Sequence, residues 1–419
     1  MKKATLILVT FLISLTVFGQ DITGQWSGIL KIQGTQLRVV FNISKSGNDY
    51  ISTMDSPDQG AKGIPVTTTS FDHSTLKLAV TNARIEYEGT LNKDNIIIGN
   101  FKQAGQSFPM DLSKVKIEKE STSENKETAF IETQLILKTK NGDIFGILTT
   151  PKKFSTISVA LIIAGSGPTD RNGNSPAMKS DAYKKLAHKL SENNVASLRY
   201  DKRGVAESRA AGKSEVELRF DDYVNDAKEW IQLLKQDKRF SKVIVIGHSE
   251  GSLIGMIAST AADKFISVAG AGQSADKTIN KQLSSQPKEV QDISGPILES
   301  LAKGETVSNV NPMLNSLFRT SVQPYLISWF KYDPQIEIQK LSIPILIIQG
   351  TNDIQVSVED ARRLSKANQK SQLILIDKMN HIFRTVDGDK NANIATYGNP
   401  ELPLTDELAK NIVIFISKN

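Results

Sequence analysis

From residue 129 onward, short apolar runs rich in β-branched residues alternate with longer stretches of helical spacing, and no other feature of the chain restricts its fold as much. The runs are Ile157–Ala164, Val195–Tyr200, Lys242–Gly247 (KVIVIG), Ile343–Gly350 (IPILIIQG) and Gln372–Ile376 (QLILI). Between them, Asp181–Glu192, Asp221–Leu234 and Gly251–Ala262 read as helices. A strand that is apolar on successive residues has to be buried on both faces, which a mostly parallel sheet covered by helices provides. The expected class is therefore α/β. Between Ala275 and Pro334 the strand rhythm stops, and helical pieces such as Thr278–Gln286, Ile297–Leu301 and Met313–Leu317 precede an aromatic stretch, Tyr325 to Tyr332. An excursion of this length reads as a helical lid at about 275–334.

The preceding part has a different texture. Over 21–115, runs such as Gly28–Ile32, Gln36–Ile43, Leu76–Val80, Arg84–Tyr87 and Asn95–Gly99 are broken by Gly, Asn, Asp and Pro. Several alternate apolar with polar residues, as half-buried antiparallel strands do. A small all-β barrel or sandwich is expected there, with Trp26 plugging one end and no titratable cluster to suggest chemistry. Residues 116–128 are charged, polar and aperiodic, and read as a linker to an α/β domain over 129–419. At the start, Lys2 and Lys3 precede an apolar run from Leu6 to Val17 that ends in small residues. Residues 1–20 thus have the layout of a secretory signal, too short for a comfortable membrane span. Export to the periplasm or the medium is expected, without stable membrane insertion after cleavage. The chain has no cysteine, so neither disulfides nor a lipid-attachment thiol are available.

The formal charge of +6 comes from 51 basic and 45 acidic residues that are interspersed, and losing Lys2 and Lys3 would lower it to +4. No basic block interleaved with aromatics occurs, so a nucleic-acid partner is not expected. Oligomeric state is not legible.

Chemistry concentrates at Gly247-His248-Ser249-Glu250-Gly251, between an apolar strand and a helix. A serine hydroxyl is a weak nucleophile that needs presentation on a sharp turn, where a histidine takes its proton. Glycines on both sides relieve the crowding such a turn creates. In this strand–turn–helix arrangement the triad members follow in the order Ser, acid, His. Of four histidines (His73, His188, His248 and His381), only His381 lies beyond Ser249, in a short loop after Gln372–Ile376. Asp353, in a turn just past Ile343–Gly350, is the expected acid, with Asp377 as an alternative that lies close to His381 in sequence. Two backbone N–H groups are needed for a developing oxyanion. Glu250 supplies one, and the loop after Ile157–Ala164 supplies the other, from Ser166 or alternatively Gly167. That loop lacks the spacings of phosphate-binding glycine motifs.

These residues resemble the bacterial α/β-hydrolase esterases with an N-terminal β-rich domain, a group labelled serine aminopeptidase-like or acyl esterase. The likeness rests on GQWSG at 24–28, SPDQGAKGIP at 56–65, AGSGPTDRNGN at 164–174, RYDKRGVAES at 199–208, GHSEGS at 247–252, SVQPYLISWFKYDP at 321–334, QGTNDIQV at 349–356 and MNHIF at 379–383. One departure is Ala164, where the oxyanion loop of some relatives has a histidine before its glycine. The resemblance implies an α/β-hydrolase fold and hydrolysis of a small carboxylic ester, with short acyl chains, through Ser249, His381 and Asp353. It involves neither metal nor organic cofactor. Asp201 and Arg203 are read as structural residues near the rim. Trp329, Phe330 and Tyr332 are expected either to wall the substrate pocket or to anchor the lid. Two alternatives stand beside the esterase: an aminopeptidase or amidase with Asp333 or Glu250 facing a substrate amine, and a non-catalytic protein that binds glycan or lipid.

Overall fold

The computed structural model describes residues 21–114 and 129–418, except 33–34, 48, 57–60, 104 and 176–177. Residues 1–20, read above as a secretory signal, and 116–128, read as a linker, lie outside the described residues. The chain divides into two compact units, Met1–Glu124 and Asn125–Asn419.

In the first unit, ten strands form one antiparallel sheet: β1 (Gly24–Ile32), β2 (Thr35–Ser46), β3 (Asp49–Ser56), β4 (Ala61–Pro65), β5 (Thr68–Asp72), β6 (Thr75–Val80), β7 (Ile85–Leu91), β8 (Ile96–Gln103), β9 (Gln106–Pro109) and β10 (Leu112–Lys114). Their order is β4-β3-β2-β1-β10-β8-β7-β6-β5, with β9 paired to β8. The sheet curls until its ends approach, where Val66 N–H bonds the Ser52 carbonyl at 3.1 Å and the Ser52 and Thr69 hydroxyls lie 2.5 Å apart. It is a barrel-like sheet rather than a sandwich. Alternation explains the burial: along β7, Ile85, Tyr87, Gly89 and Leu91 face inward while Glu86, Glu88 and Thr90 face water. The interior is filled by side chains including Trp26, Phe41, Tyr87, Ile97 and Phe101. Trp26 satisfies its indole N–H on the Ile22 carbonyl at 2.8 Å, the polar partner a buried tryptophan needs.

The second unit is built on eight strands: β11 (Phe130–Thr139), β12 (Gly142–Pro151), β13 (Ile157–Ile163), β14 (Ala196–Tyr200), β15 (Phe240–His248), β16 (Lys264–Val268), β17 (Ile345–Gly350) and β18 (Gln372–Ile376). They lie in the order β11-β12-β14-β13-β15-β16-β17-β18. Pairing is parallel from β14 to β18, and β12 runs antiparallel to both its neighbours. Helices α1 (Ala182–Glu192), α2 (Phe220–Gln236) and α3 (Glu250–Ala258) follow β13, β14 and β15. An insertion between β16 and β17 holds α4 (Ala275–Leu283), α5 (Lys288–Ala302), α6 (Asn315–Phe318), α7 (Gln323–Phe330) and α8 (Pro334–Gln339). The chain ends with α9 (Val358–Ala367), α10 (Lys390–Ala395) and α11 (Asp406–Ser417).

One apolar cluster on the sheet joins Trp230, Ile231, Phe265 and Leu253 to strand residues, and the other joins Leu186, Leu190, Leu408 and Ile412 to the alternate strand residues. Each such side chain, once fully buried, contributes about 1.5–3 kcal/mol of transfer free energy. This is the strand order and helix placement of an α/β hydrolase. From the central strand β13 the chain steps to β14 on one side and returns to β15 on the other. The loops leaving β13 and β15 therefore part in opposite directions, and the crevice between them is where open α/β sheets bind ligands.

Candidate active site

Ser249 lies at that crevice, between the last residue of β15 and the first of α3. Its backbone has φ 55° and ψ −121°, a conformation sparsely populated by residues with side chains. Ser249 N–H donates to the Val268 carbonyl at 3.0 Å, and the Ser249 carbonyl accepts from Ser252 N–H at 2.9 Å. The flanking glycines are forced by space. A Cβ on Gly247 would lie 2.2 Å from the Gly251 carbonyl oxygen, and one on Gly251 would lie 2.4 Å from that of Ile163. Only glycine lets the strand, the turn and β13 approach so closely.

Asp353, just past β17, and His381, in the loop after β18, come together. Asp353 Oδ2 and His381 Nδ1 are 2.8 Å apart, and both side chains are buried. The carboxylate also accepts the N–H groups of Gln355 and Val356 at 2.8 and 2.9 Å, and the Gln349 amide at 3.1 Å. Burial raises the Asp353 pKa, but the charge and hydrogen bond of His381 and the N–H groups of Val356 and Gln355 outweigh it. The carboxyl is held below its ordinary value. An ionised carboxylate only accepts, so His381 carries its proton on Nδ1 and leaves Nε2 as an acceptor. Asp377 instead accepts from the Thr351 hydroxyl at 3.1 Å.

A second histidine joins these parts. His248 Nε2 lies 2.9 Å from the His381 carbonyl oxygen, and Nδ1 lies 2.7 Å from the Tyr183 hydroxyl. A carbonyl cannot donate, so Nε2 carries the proton, Nδ1 accepts from Tyr183, and the Tyr183 oxygen accepts Gly165 N–H at 3.1 Å. One directed chain thus runs from the loop after β13 to the backbone of His381, through the residue beside Ser249. Burial, reinforced by the His381 ring, pushes the His248 pKa down to about 3, so this imidazole stays neutral. Among the described residues no hydrogen bond joins Ser249 Oγ to His381, whose ring centroid is 4.7 Å from that of His248.

The loop after β13 passes close to Ser249 at Gly165, where an added Cβ would lie 3.2 Å from Ser249 Cβ. The Ser166 and Gly167 carbonyls accept from the Thr169 hydroxyl and N–H at 3.1 and 2.9 Å. Glu250 N–H belongs to the first turn of α3, where helix N–H groups lack intrahelical partners. The Glu250 side chain is buried between Lys202 Nζ, 3.1 Å from Oε2, and the Tyr325 hydroxyl, 2.5 Å from Oε1. Lys202 Nζ also donates to the Gly165 carbonyl at 2.8 Å.

Asp201 holds Arg171 and the Glu207 N–H, and Arg203 pairs with Asp226. Trp329 stacks on Phe220 at 5.9 Å, and Tyr332 packs on the same ring and bonds Asp221. Phe330 is buried in the insertion's own apolar core. A polar groove of about 600 Å³ flanks Asp353, lined by Gln273, Lys281, Asn352, Gln355 and Lys390 among others, but by neither Ser249 nor His381.

Sequence reasoning missed Tyr183, Tyr325 and Lys202, and considered the Glu250 side chain only as a partner for a substrate amine. Lys202 had a signal. It directly follows Asp201 after a wholly buried strand, where a lysine needs a specific partner.

A sequence profile described as serine aminopeptidase, S33, matches residues 177–325. Esterase EstD of Thermotoga maritima is 26% identical over 286 residues, 64% of this chain. This chain spans 65% of that esterase's length. Among solved structures, Est1E from Butyrivibrio proteoclasticus is 16% identical with a TM-score of 0.45, covering 68% of this chain and 99% of its own. The Pyrococcus furiosus esterase Pf2001 is 14% identical with a TM-score of 0.42, covering 70% and 94%. The profile and the esterase agree with the resemblance drawn from the motifs.

Proposed function

Taking the chain as an α/β hydrolase preceded by an all-β unit, we propose that it hydrolyses small carboxylic esters through Ser249, His381 and Asp353. The observation that carries this reading is the strained Ser249 turn, tied through His248 to the loop where His381 is paired with a buried, ionised Asp353. His381 Nε2 accepts the Ser249 proton as Oγ attacks the acyl carbon, and Asp353 stabilises the imidazolium that forms. The carbonyl oxygen becomes an oxyanion held by the N–H groups of Glu250 and Ser166. His381 then gives its proton to the departing alkoxide, leaving an acyl-serine. Water, deprotonated by His381, releases the acid and restores the hydroxyl. The serine–histidine bond closes when substrate fills the site, since such bonds are often long in the empty state.

Ester specificity over aminopeptidase activity is supported by the two carboxylates that a substrate amine would need. Glu250 is committed to Lys202 and Tyr325, and Asp333 caps α8 by accepting Gln335 N–H at 2.9 Å. In this proposal the insertion serves as a lid, the filled β unit as a scaffold, short acyl chains as the preferred substrates, and the periplasm or medium as the destination. Turnover of p-nitrophenyl acetate by parent and Ser249→Ala tests the assignment. Activity is expected to vanish with folding intact, and retained turnover would refute it. Faster cleavage of aminoacyl amides than of acyl esters would favour the peptidase instead.

A further inference from the structure

We infer that Lys202 is a positioning residue for the oxyanion hole, orienting the Ser166 N–H through the Gly165 carbonyl while Glu250, braced by Tyr325, holds the ammonium in place. This rests on the reading of Ser249 as nucleophile and adds to it the part that organises the two donors.

The Gly165 carbonyl and the Ser166 N–H belong to the same planar unit and, in a trans peptide, point to opposite sides of the chain. Lys202 Nζ, 2.8 Å from the Gly165 oxygen, therefore fixes the plane in which the Ser166 N–H projects. An ammonium on the oxygen also polarises the whole peptide group and strengthens its N–H as a donor, more so away from water. Tyr183 holds the Gly165 N–H, so the peptide on the other side of Gly165 is fixed as well.

The second donor belongs to Glu250, whose carboxylate is the counter-charge of the same ammonium at 3.1 Å. Both side chains are 2% exposed. Burying them costs desolvation that a surface pair avoids, and isosteric apolar replacement of such pairs is often neutral or stabilising. Stability is therefore a poor reason for this pair, whereas a cation aimed at the oxyanion loop has a use. Its remaining contacts fit: the Tyr223 ring centroid is 4.7 Å from Nζ, and the Tyr325 hydroxyl donates to the other carboxylate oxygen. Tyr325 lies on α7 of the insertion, so the insertion is hydrogen-bonded to the residue that follows the nucleophile.

The test uses Lys202→Met/Glu250→Gln in the full chain, which removes both charges together and leaves no buried ion unpaired. Steady-state ester kinetics and the inhibition constant of an arylboronic acid, which forms a tetrahedral anion on serine, are measured with the thermal midpoint. Losing an oxyanion donor outright costs about 100- to 1,000-fold in kcat, so a donor that is kept but released is expected to cost about tenfold or more. KM should stay within about twofold, boronate affinity should fall in parallel with kcat, and Lys202→Arg should recover most of the rate. A folded double variant with parental kcat, or one in which KM and kcat change while boronate affinity holds, overturns the proposal. If the double variant does not fold, Tyr325→Phe decides. Removing that hydroxyl should lower kcat and boronate affinity severalfold at constant KM, and no change in either overturns the proposal. Failure of the underlying reading looks different, because Ser249→Ala would then keep turnover whatever the Lys202 variants do.

Discussion

Tyr183→Phe deletes a single oxygen from the centre of the hydrogen-bond chain, and its cost can be worked from the geometry. The phenyl ring remains, so no cavity forms. Two buried groups lose their partner: the Gly165 N–H, 3.1 Å from the hydroxyl, and His248 Nδ1, 2.7 Å from it. His248 cannot turn its proton round, because Nε2 must donate to the His381 carbonyl. An unsatisfied buried donor or acceptor costs about 1–3 kcal/mol, so the pair should destabilise the hydrolase unit by roughly 2–6 kcal/mol. At about 2 °C per kcal/mol, the low end of the range for large units, that is a fall of roughly 4–12 °C in the midpoint. Calorimetry that follows the transition in which ester turnover is lost measures it. Because the same oxygen holds Gly165 in the loop proposed to supply the Ser166 N–H, kcat should fall as well. A midpoint within about 1 °C of the parent would mean that the directed chain from Gly165 to His381 is not a source of stability.

Asp353→Asn keeps the shape of the acid but no longer fixes the His381 tautomer, and kcat should fall by about 10⁴-fold at similar KM in ester assays. His248 titrates near 3 in the fold against about 6.5 unfolded, so below pH 6.5 the unfolded chain binds a proton that the native state refuses. Its contribution is complete above pH 6.5 and is lost as pH falls toward 3. Between pH 7 and 5.5 this group alone should lower stability by about 1 kcal/mol, seen as a urea-midpoint shift that is smaller in His248→Asn. Gly251→Ala sets a methyl 2.4 Å from the Ile163 carbonyl oxygen, where only backbone can yield. It should cost about 3 kcal/mol or more by denaturant titration, and a parental midpoint would show that the turn at Ser249 can open to admit a side chain.

The parallel sheet was legible because β13, β15 and β17 are buried on both faces and read as unbroken apolar runs. Others were not. The β11–β12 hairpin escaped although Asn141-Gly142 is a strong turn signal, because β11 is an edge strand whose burial does not alternate cleanly. The strand β16 was missed because it opens with Lys264, whose ammonium is satisfied by the carbonyls of Phe415 and Ile416 on α11. Periodicity does not foresee such a distant partner. In the candidate site, Ser249, Asp353 and His381 were picked out from strand ends and chain order, and the structure pairs Asp353 with His381. Tyr183, Lys202 and Tyr325 were not, because their contacts with the nucleophile's neighbours span 65, 48 and 75 residues of sequence.

The most direct measurement of the central claim is peptide mapping after reaction with a fluorophosphonate, carried out on the parent and on His381→Gln. A single phosphonylated residue, Ser249, is expected in the parent, with labelling slowed by about 10³-fold or more when the imidazole is gone. Modification elsewhere, or equal labelling rates in the two proteins, would contradict it.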